Sequence, residues 1–119
     1  MSYAVRHTID VTTAADGSAT AYTPGAVNGY VISVQYVKTD FANGSTMTLT
    51  AETTGTAIWA ESNVDASATR APRGATHGTT GTIAPWGVLD KIAIADERLK
   101  LVIANGGDTK TGTFYVTVE

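Results

Sequence analysis

The sequence contains no cysteine, which excludes disulfide bonds and cysteine-based zinc sites. Charged residues make up only 16%, and the net charge of −3 at pH 7 argues against a general nucleic-acid binder, which needs a basic face to displace counterions. No apolar run approaches the roughly 20 residues of a membrane-spanning helix. The first residues also lack the apolar stretch of a signal peptide. We therefore expect a soluble protein that is made in a cytoplasm and binds neither nucleic acid nor membrane.

Alternation of apolar and polar residues is the dominant pattern in what remains. Residues 46–51 place Met47, Leu49 and Ala51 on one face and three threonines on the other. A period of two is typical of a strand with one buried face. Residues 29–38 follow the same period, and the apolar face predicted for them consists of Tyr30, Ile32, Val34 and Tyr36.

The C-terminal third repeats this pattern twice. Residues 99–103 and 113–118 alternate, and the segment 105–112 between them is rich in Gly, Asn and Asp, so we predict a hairpin. Seven or eight short antiparallel strands favour an all-β, single-domain β-sandwich or jelly-roll-like fold over residues 1–119. The weaker strands of this set are predicted at 5–11, 19–22, 56–61 and 91–95.

Residues 66–82 depart from the pattern because they contain almost no bulky apolar residue. Loops longer than about 12–15 residues in compact domains are usually functional or disordered. This one carries Arg70 and Arg73 and no acidic residue, which gives it a formal charge of +2. Arginine offers paired donors to carboxylates, so the loop suits docking on an acidic partner surface. A solvated loop without function is the alternative.

Residues that could carry chemistry are few and scattered. The two histidines, His7 and His77, are too few for a metal site, which needs several ligands that converge. Asp96 and Glu97 are adjacent, but neighbours on a strand point to opposite faces. There is no Gly-x-Ser-x-Gly motif and no phosphate-binding glycine loop. We therefore expect a protein that is not an enzyme and that uses no metal or cofactor.

Two further features suggest contact with a partner. Trp86 follows Pro85 in a glycine-flanked segment and is a candidate exposed anchor, with packing in the core or loop as the alternative. Residues 1–5 form a candidate N-terminal arm that pairs with a neighbouring subunit, with a frayed end as the alternative. The candidate partner-binding residues are Arg70, Arg73, His77, Trp86, Tyr3 and Arg6.

Three stretches of the chain carry a family resemblance. Residues 3–13, 16–19, 71–77 and 96–114 resemble small virion structural proteins of tailed bacteriophages, and the similarity covers nearly the whole chain apart from 82–90. The resemblance implies a structural role and transfers no binding residues. A capsid decoration or cement protein would clamp neighbouring shell subunits with a rigid sheet scaffold and adaptable loops, which the predicted β-sandwich can supply.

The resulting functional hypothesis is a capsid decoration or cement protein that stabilises the phage head. Its partners would be the major capsid protein or other virion proteins, and the protein would reside in the virion after assembly in the host cytoplasm. We expect a homo-oligomer, with a trimer as one candidate. The alternatives are a neck, tail or baseplate component and, on the basis of Trp86, a carbohydrate-binding module.

Overall fold

The computed structural model describes residues 3–84 and 87–119, and these form eleven β-strands and no α-helix. Eight of the strands have four residues or more, in agreement with the predicted seven or eight. The prediction of an all-β fold is therefore confirmed. The strands are β1 (Val5–Thr12), β2 (Ala19–Tyr22), β3 (Val27–Lys38), β4 (Ser45–Ala51), β5 (Ala57–Val64), β6 (Ala68–Arg70), β7 (Gly74–Ala75), β8 (Leu89–Asp90), β9 (Ile92–Glu97), β10 (Leu99–Ala104) and β11 (Thr111–Val118).

The longer strands form two antiparallel sheets. Sheet one has the order β1-β11-β3, and the far side of β3 pairs with β9 along its first half and with β6 along its second half. Sheet two has the order β2-β10-β4-β5, while β7 and β8 pair only with each other in the described part of the chain. Consecutive long strands mostly lie in opposite sheets, so the chain passes repeatedly from one sheet to the other at the ends of the core.

The predicted C-terminal hairpin is wrong. Both of its strands form, as β10 and β11, but β10 pairs with β2 and β4 in sheet two. Strand β11 lies between β1 and β3 in sheet one. Segment 105–110 therefore carries the chain from one sheet to the other, and Asn105, Gly107 and Thr109 adopt positive φ within it. Alternation identifies the buried face of each strand but does not select its hydrogen-bonding neighbour.

The two sheets share one core with an aromatic centre. The Phe114 ring lies 4.9 Å from that of Tyr36 and 6.4 Å from those of Phe41 and Trp59. Trp59 is also buried. Aliphatic side chains surround these rings; those almost completely buried include Ile9, Val27, Val31, Val34, Met47, Leu49, Leu99, Leu101, Ile103, Val116 and Val118.

Strand β3 changes the face that it buries along its length. Its pairing with β11 runs from Ser33 opposite Thr117 directly to Val31 opposite Val118, which leaves Ile32 as the extra residue of a β-bulge. Before the bulge, Val31 is buried and Tyr30 is 51% exposed. The predicted apolar face is therefore right for Val34 and Tyr36 but wrong for Tyr30, because the bulge shifts the alternation by one residue.

Glu97 connects the two sheets at one end of the core. Its buried carboxylate accepts hydrogen bonds from the backbone N–H groups of Thr53 and Thr54, at 2.8 and 2.9 Å, and from the Thr54 hydroxyl at 3.0 Å. These donors, the Thr54 N–H first, lower the pKa of Glu97 against the opposing effect of burial. A residue of sheet one thereby holds the turn between β4 and β5 of sheet two.

We expect Glu97→Gln to lower the free energy of unfolding at neutral pH. The variant should also lose less of this free energy than the wild type does when the pH is lowered. The pKa of Glu97 is lower in the folded than in the unfolded chain, so its contribution is present above the ordinary pKa of 4.5. That contribution disappears as the pH falls through the lower, folded value. Urea unfolding at neutral pH and at about pH 3 measures both effects. Equal losses of stability in the wild type and the variant would contradict this assignment.

The aromatic core offers a second prediction, because the Tyr36 hydroxyl is buried without a hydrogen-bond partner among the described residues. Burial, and to a lesser degree the charge of Asp40, raises the pKa of Tyr36 to about 12. We expect Tyr36→Phe to leave the unfolding free energy unchanged or raise it by about 1 kcal/mol, since it removes an unsatisfied group. Phe114→Ala should lower it by about 3–5 kcal/mol. Urea denaturation measures both, and a large loss in Tyr36→Phe would show that the hydroxyl is bonded.

Candidate interaction surface

The six candidate partner-binding residues do not form one site. Tyr3 and Arg6 belong to the β1 side of sheet one, with Tyr3 just before the strand. The opposite side of sheet one carries the other three residues: Arg70 lies in β6, which pairs with β3, and Arg73 and His77 lie in the segment after β6. Two strands separate the groups, so one small ligand cannot contact both. Trp86 lies outside the described residues.

Arg70 joins the edges of the two sheets. From β6 its Nε and Nη2 donate to Oε1 and Oε2 of Glu61 in β5, at 2.8 and 3.0 Å. The indole N–H of Trp59 donates to the same carboxylate at 3.1 Å. The hydrogen bond from Arg70 is the main cause that lowers the pKa of Glu61. Arg70 is thus part of an exposed ion pair, which limits its attraction for an acidic partner.

Arg73 has an internal role at the β3 bulge. The side chain is half-buried, and its Nη1 donates to the carbonyl oxygens of Ile32 at 3.1 Å and Pro72 at 2.9 Å, with a longer contact to Val31 at 3.4 Å. A bulge locally disrupts the ladder, and the guanidinium supplies donors to the carbonyl groups of this region. The two positive charges predicted for the 66–82 loop therefore both have partners within the protein, Arg70 in an exposed ion pair and Arg73 at the bulge.

Substitution of the two arginines by methionine should separate these roles. We expect Arg73→Met to lower the unfolding free energy by about 1.5–3 kcal/mol, because carbonyl groups next to the bulge lose a charged donor. Arg70→Met should cost less, since water screens an exposed ion pair. Urea denaturation followed by tryptophan fluorescence provides the comparison. Equal losses, or a larger loss for Arg70→Met, would contradict the role given to Arg73.

His77 lies in a segment that we call the hairpin arm, residues 74–84 and 87–90. Its base is the β7–β8 pair, in which Gly74 lies opposite Asp90 and Ala75 opposite Leu89. Further out, His77 forms an isolated bridge with Ile83. Backbone bonds complete the arm: Thr76 N–H to Val88 O, Ala84 N–H to Thr76 O, Gly78 N–H to Thr82 O and Gly81 N–H to Gly78 O, all at 2.8–3.1 Å.

The hairpin arm presents apolar side chains to solvent. Ile83, Leu89 and Val88 are 65%, 58% and 52% exposed. The remaining large apolar residues with high exposure in the described chain are Tyr3, which precedes β1, and Val5, Tyr22 and Tyr30 in β1, β2 and β3. The chain is also elongated: its radius of gyration is 14.9 Å, whereas a compact chain of this length is expected near 13.5 Å, roughly. Exposed apolar side chains on such an arm are suited to docking against another protein surface.

Sequence reasoning did not single out these apolar residues. Residues 76–84 are mostly Thr and Gly, and Ile83, Val88 and Leu89 show no alternation that would place them on a buried strand face. The available signal was the presence of bulky apolar residues without such a pattern close to a predicted surface loop.

On the β1 side of sheet one, the Arg6 guanidinium lies 5.0 Å from the centre of the Tyr115 ring and is exposed.

The described residues include no group of three or more His, Asp or Glu side chains placed to hold a metal ion. Within residues 3–84 and 87–119, no helix has the length and apolar character needed to cross a bilayer. Comparison of the sequence with protein-family models finds no match, and comparison with curated proteins finds none either.

Proposed function

We propose that this protein is a non-enzymatic structural component of a bacteriophage virion, and that it decorates the capsid. The observation that carries the proposal is the exposure of three large apolar side chains on the hairpin arm, Ile83, Val88 and Leu89. Complete burial of such a side chain contributes about 1.5–3 kcal/mol. Three of them on one arm can therefore anchor the protein to a neighbouring surface.

The rest of the molecule provides a rigid support for this arm. The aromatic core and the repeated crossings between sheets hold β6 and β9, the strands that precede and follow it. A protein that binds in many copies to an assembled shell stabilises it by mass action, since it favours the assembled over the dissociated state. The resemblance of residues 3–13, 16–19, 71–77 and 96–114 to phage virion proteins supports a place in the virion and does not specify the position in the particle.

The test uses particles of the encoding phage that are produced from a genome with this gene deleted. Purified protein is added to these particles, and the bound fraction is measured after sedimentation through a sucrose cushion. We expect the wild-type protein to bind in hundreds of copies. Combined substitution Ile83→Ser, Val88→Ser and Leu89→Ser should weaken binding by about ten-fold or more, because it removes the apolar anchors.

Tyr22→Ser is the matched control, because it removes an exposed apolar side chain from β2 in sheet two. It should bind as the wild type does, and circular dichroism should show that both variants are folded. Failure of the wild-type protein to sediment with the particles would overturn the proposal. Binding of only a dozen copies or fewer would overturn the capsid position and indicate the neck, tail or baseplate. Equal binding of the arm variant would overturn the role of the arm.

A further inference from the structure

Strand β1 is a long, regular sheet edge. It pairs with β11 through eight consecutive residues without a register shift, and no strand pairs with its other side in the described part of the chain. The other edges are blunted: β2 and β6 have four and three residues, and the pairings of β5 and β9 contain register shifts. Proteins usually protect their sheet edges by such means, because an open edge accepts another strand.

The hydrogen-bonding pattern shows which peptide groups β1 presents to its open side. The Thr13 N–H donates to Lys110 O in continuation of the β1–β11 ladder, which assigns the odd-numbered residues of β1 to bonds with β11. Just after β11, Glu119 exchanges both backbone hydrogen bonds with Tyr30 of β3. The adjacent residue, Val118, therefore bonds to Val5 of β1, which agrees with the assignment of the odd-numbered residues of β1 to bonds with β11. The N–H and C=O groups of Arg6, Thr8 and Asp10 therefore point away from the sheet.

These three residues are complementary to themselves when the strand is reversed. In an antiparallel pair of identical β1 strands centred on Thr8, Arg6 of each copy lies opposite Asp10 of the other. The three residue pairs would then exchange six backbone hydrogen bonds. Arg6 and Asp10 are both exposed and lie on the same face as Thr8, so the opposed side chains would meet on one surface of the joined sheet.

The charges of Arg6 and Asp10 are not paired within the chain. The two residues are four positions apart on one strand, a distance of about 13 Å. Arg6 lies over Tyr115, and a carboxylate oxygen of Asp10 accepts a hydrogen bond from the Thr113 hydroxyl at 3.0 Å. Among the described residues, neither forms an ion pair. Both charges are therefore available to a second chain.

We propose that two copies of this protein associate through β1, antiparallel about a two-fold axis at Thr8, so that their first sheets become one continuous sheet. Homo-oligomers commonly use such self-complementary interfaces, and the addition of a strand to an open edge is an established mode of recognition. The proposal rests on the geometry of β1 alone and stands whether or not the protein belongs to a virion.

A charge exchange tests the register of this dimer. Arg6→Asp and Asp10→Arg each place like charges opposite each other, so each variant alone should dissociate about ten-fold or more readily than the wild type. In an equimolar mixture, the aspartate introduced in one variant faces the arginine introduced in the other, and dimers should return. Analytical ultracentrifugation measures all three samples. Failure of the mixture to associate better than either variant would overturn the register.

Two proline substitutions test the backbone bonds. Thr8→Pro removes an N–H that points to the open side, so it should yield a folded monomer. His7→Pro removes an N–H assigned to the β11 ladder, so it should lower the melting temperature. Hydrogen exchange of the wild type supplies a measurement that needs no variant: the amides of Arg6, Thr8 and Asp10 should become protected as concentration rises. A wild-type chain that stays monomeric to its solubility limit, or a trimer with these amides unprotected, would overturn the proposal.

Discussion

The structure depends on the repeated passage of its chain between two sheets, because each crossing must satisfy backbone groups at the ends of the core. The buried hydroxyl of Thr13 shows how this is achieved. It donates to Gly107 O at 2.6 Å and accepts from the N–H of Lys110 at 2.8 Å. The N–H of Gly106 donates to Gly17 O at 2.9 Å, which joins two of the crossings directly. Gly17 has a φ of 83° and closely approaches Gly107, so a side chain there would be strained.

The parts of this fold that follow from local periodicity could be predicted from the sequence. Met47, Leu49 and Ala51 are buried as expected, since the alternation of β4 is uninterrupted. Strand partners could not be predicted, because the same apolar face serves a hairpin or a crossing equally well. The β3 bulge was also hidden, since Ile32 and its neighbours read as a continuous strand and the compensating donor, Arg73, is far away in sequence.

Only part of the candidate site could be predicted from the sequence, for a related reason. The sequence marks the segment that contains His77 as unusual, and part of it forms the hairpin arm. From their charge, we predicted that the two arginines of the 66–82 loop bind a partner. Their contacts lie within the protein instead: Arg70 binds Glu61, and Arg73 binds carbonyl groups at the bulge. Periodicity cannot reveal such long-range pairing. The arm and the β1 edge lie on opposite sides of sheet one, so one chain can contact different neighbours through each.

The position of β11 between β1 and β3 has a consequence for the synthesis of the protein. Residues 111–118 are translated after the other ten described strands, yet β1 and β3 have no shared neighbour without them. A nascent chain on the ribosome can pair β4 with β5 but cannot complete sheet one until these residues emerge from the exit tunnel. Until then, β1 and β3 lack the strand that joins them, and their unpaired edges and apolar faces are prone to aggregation.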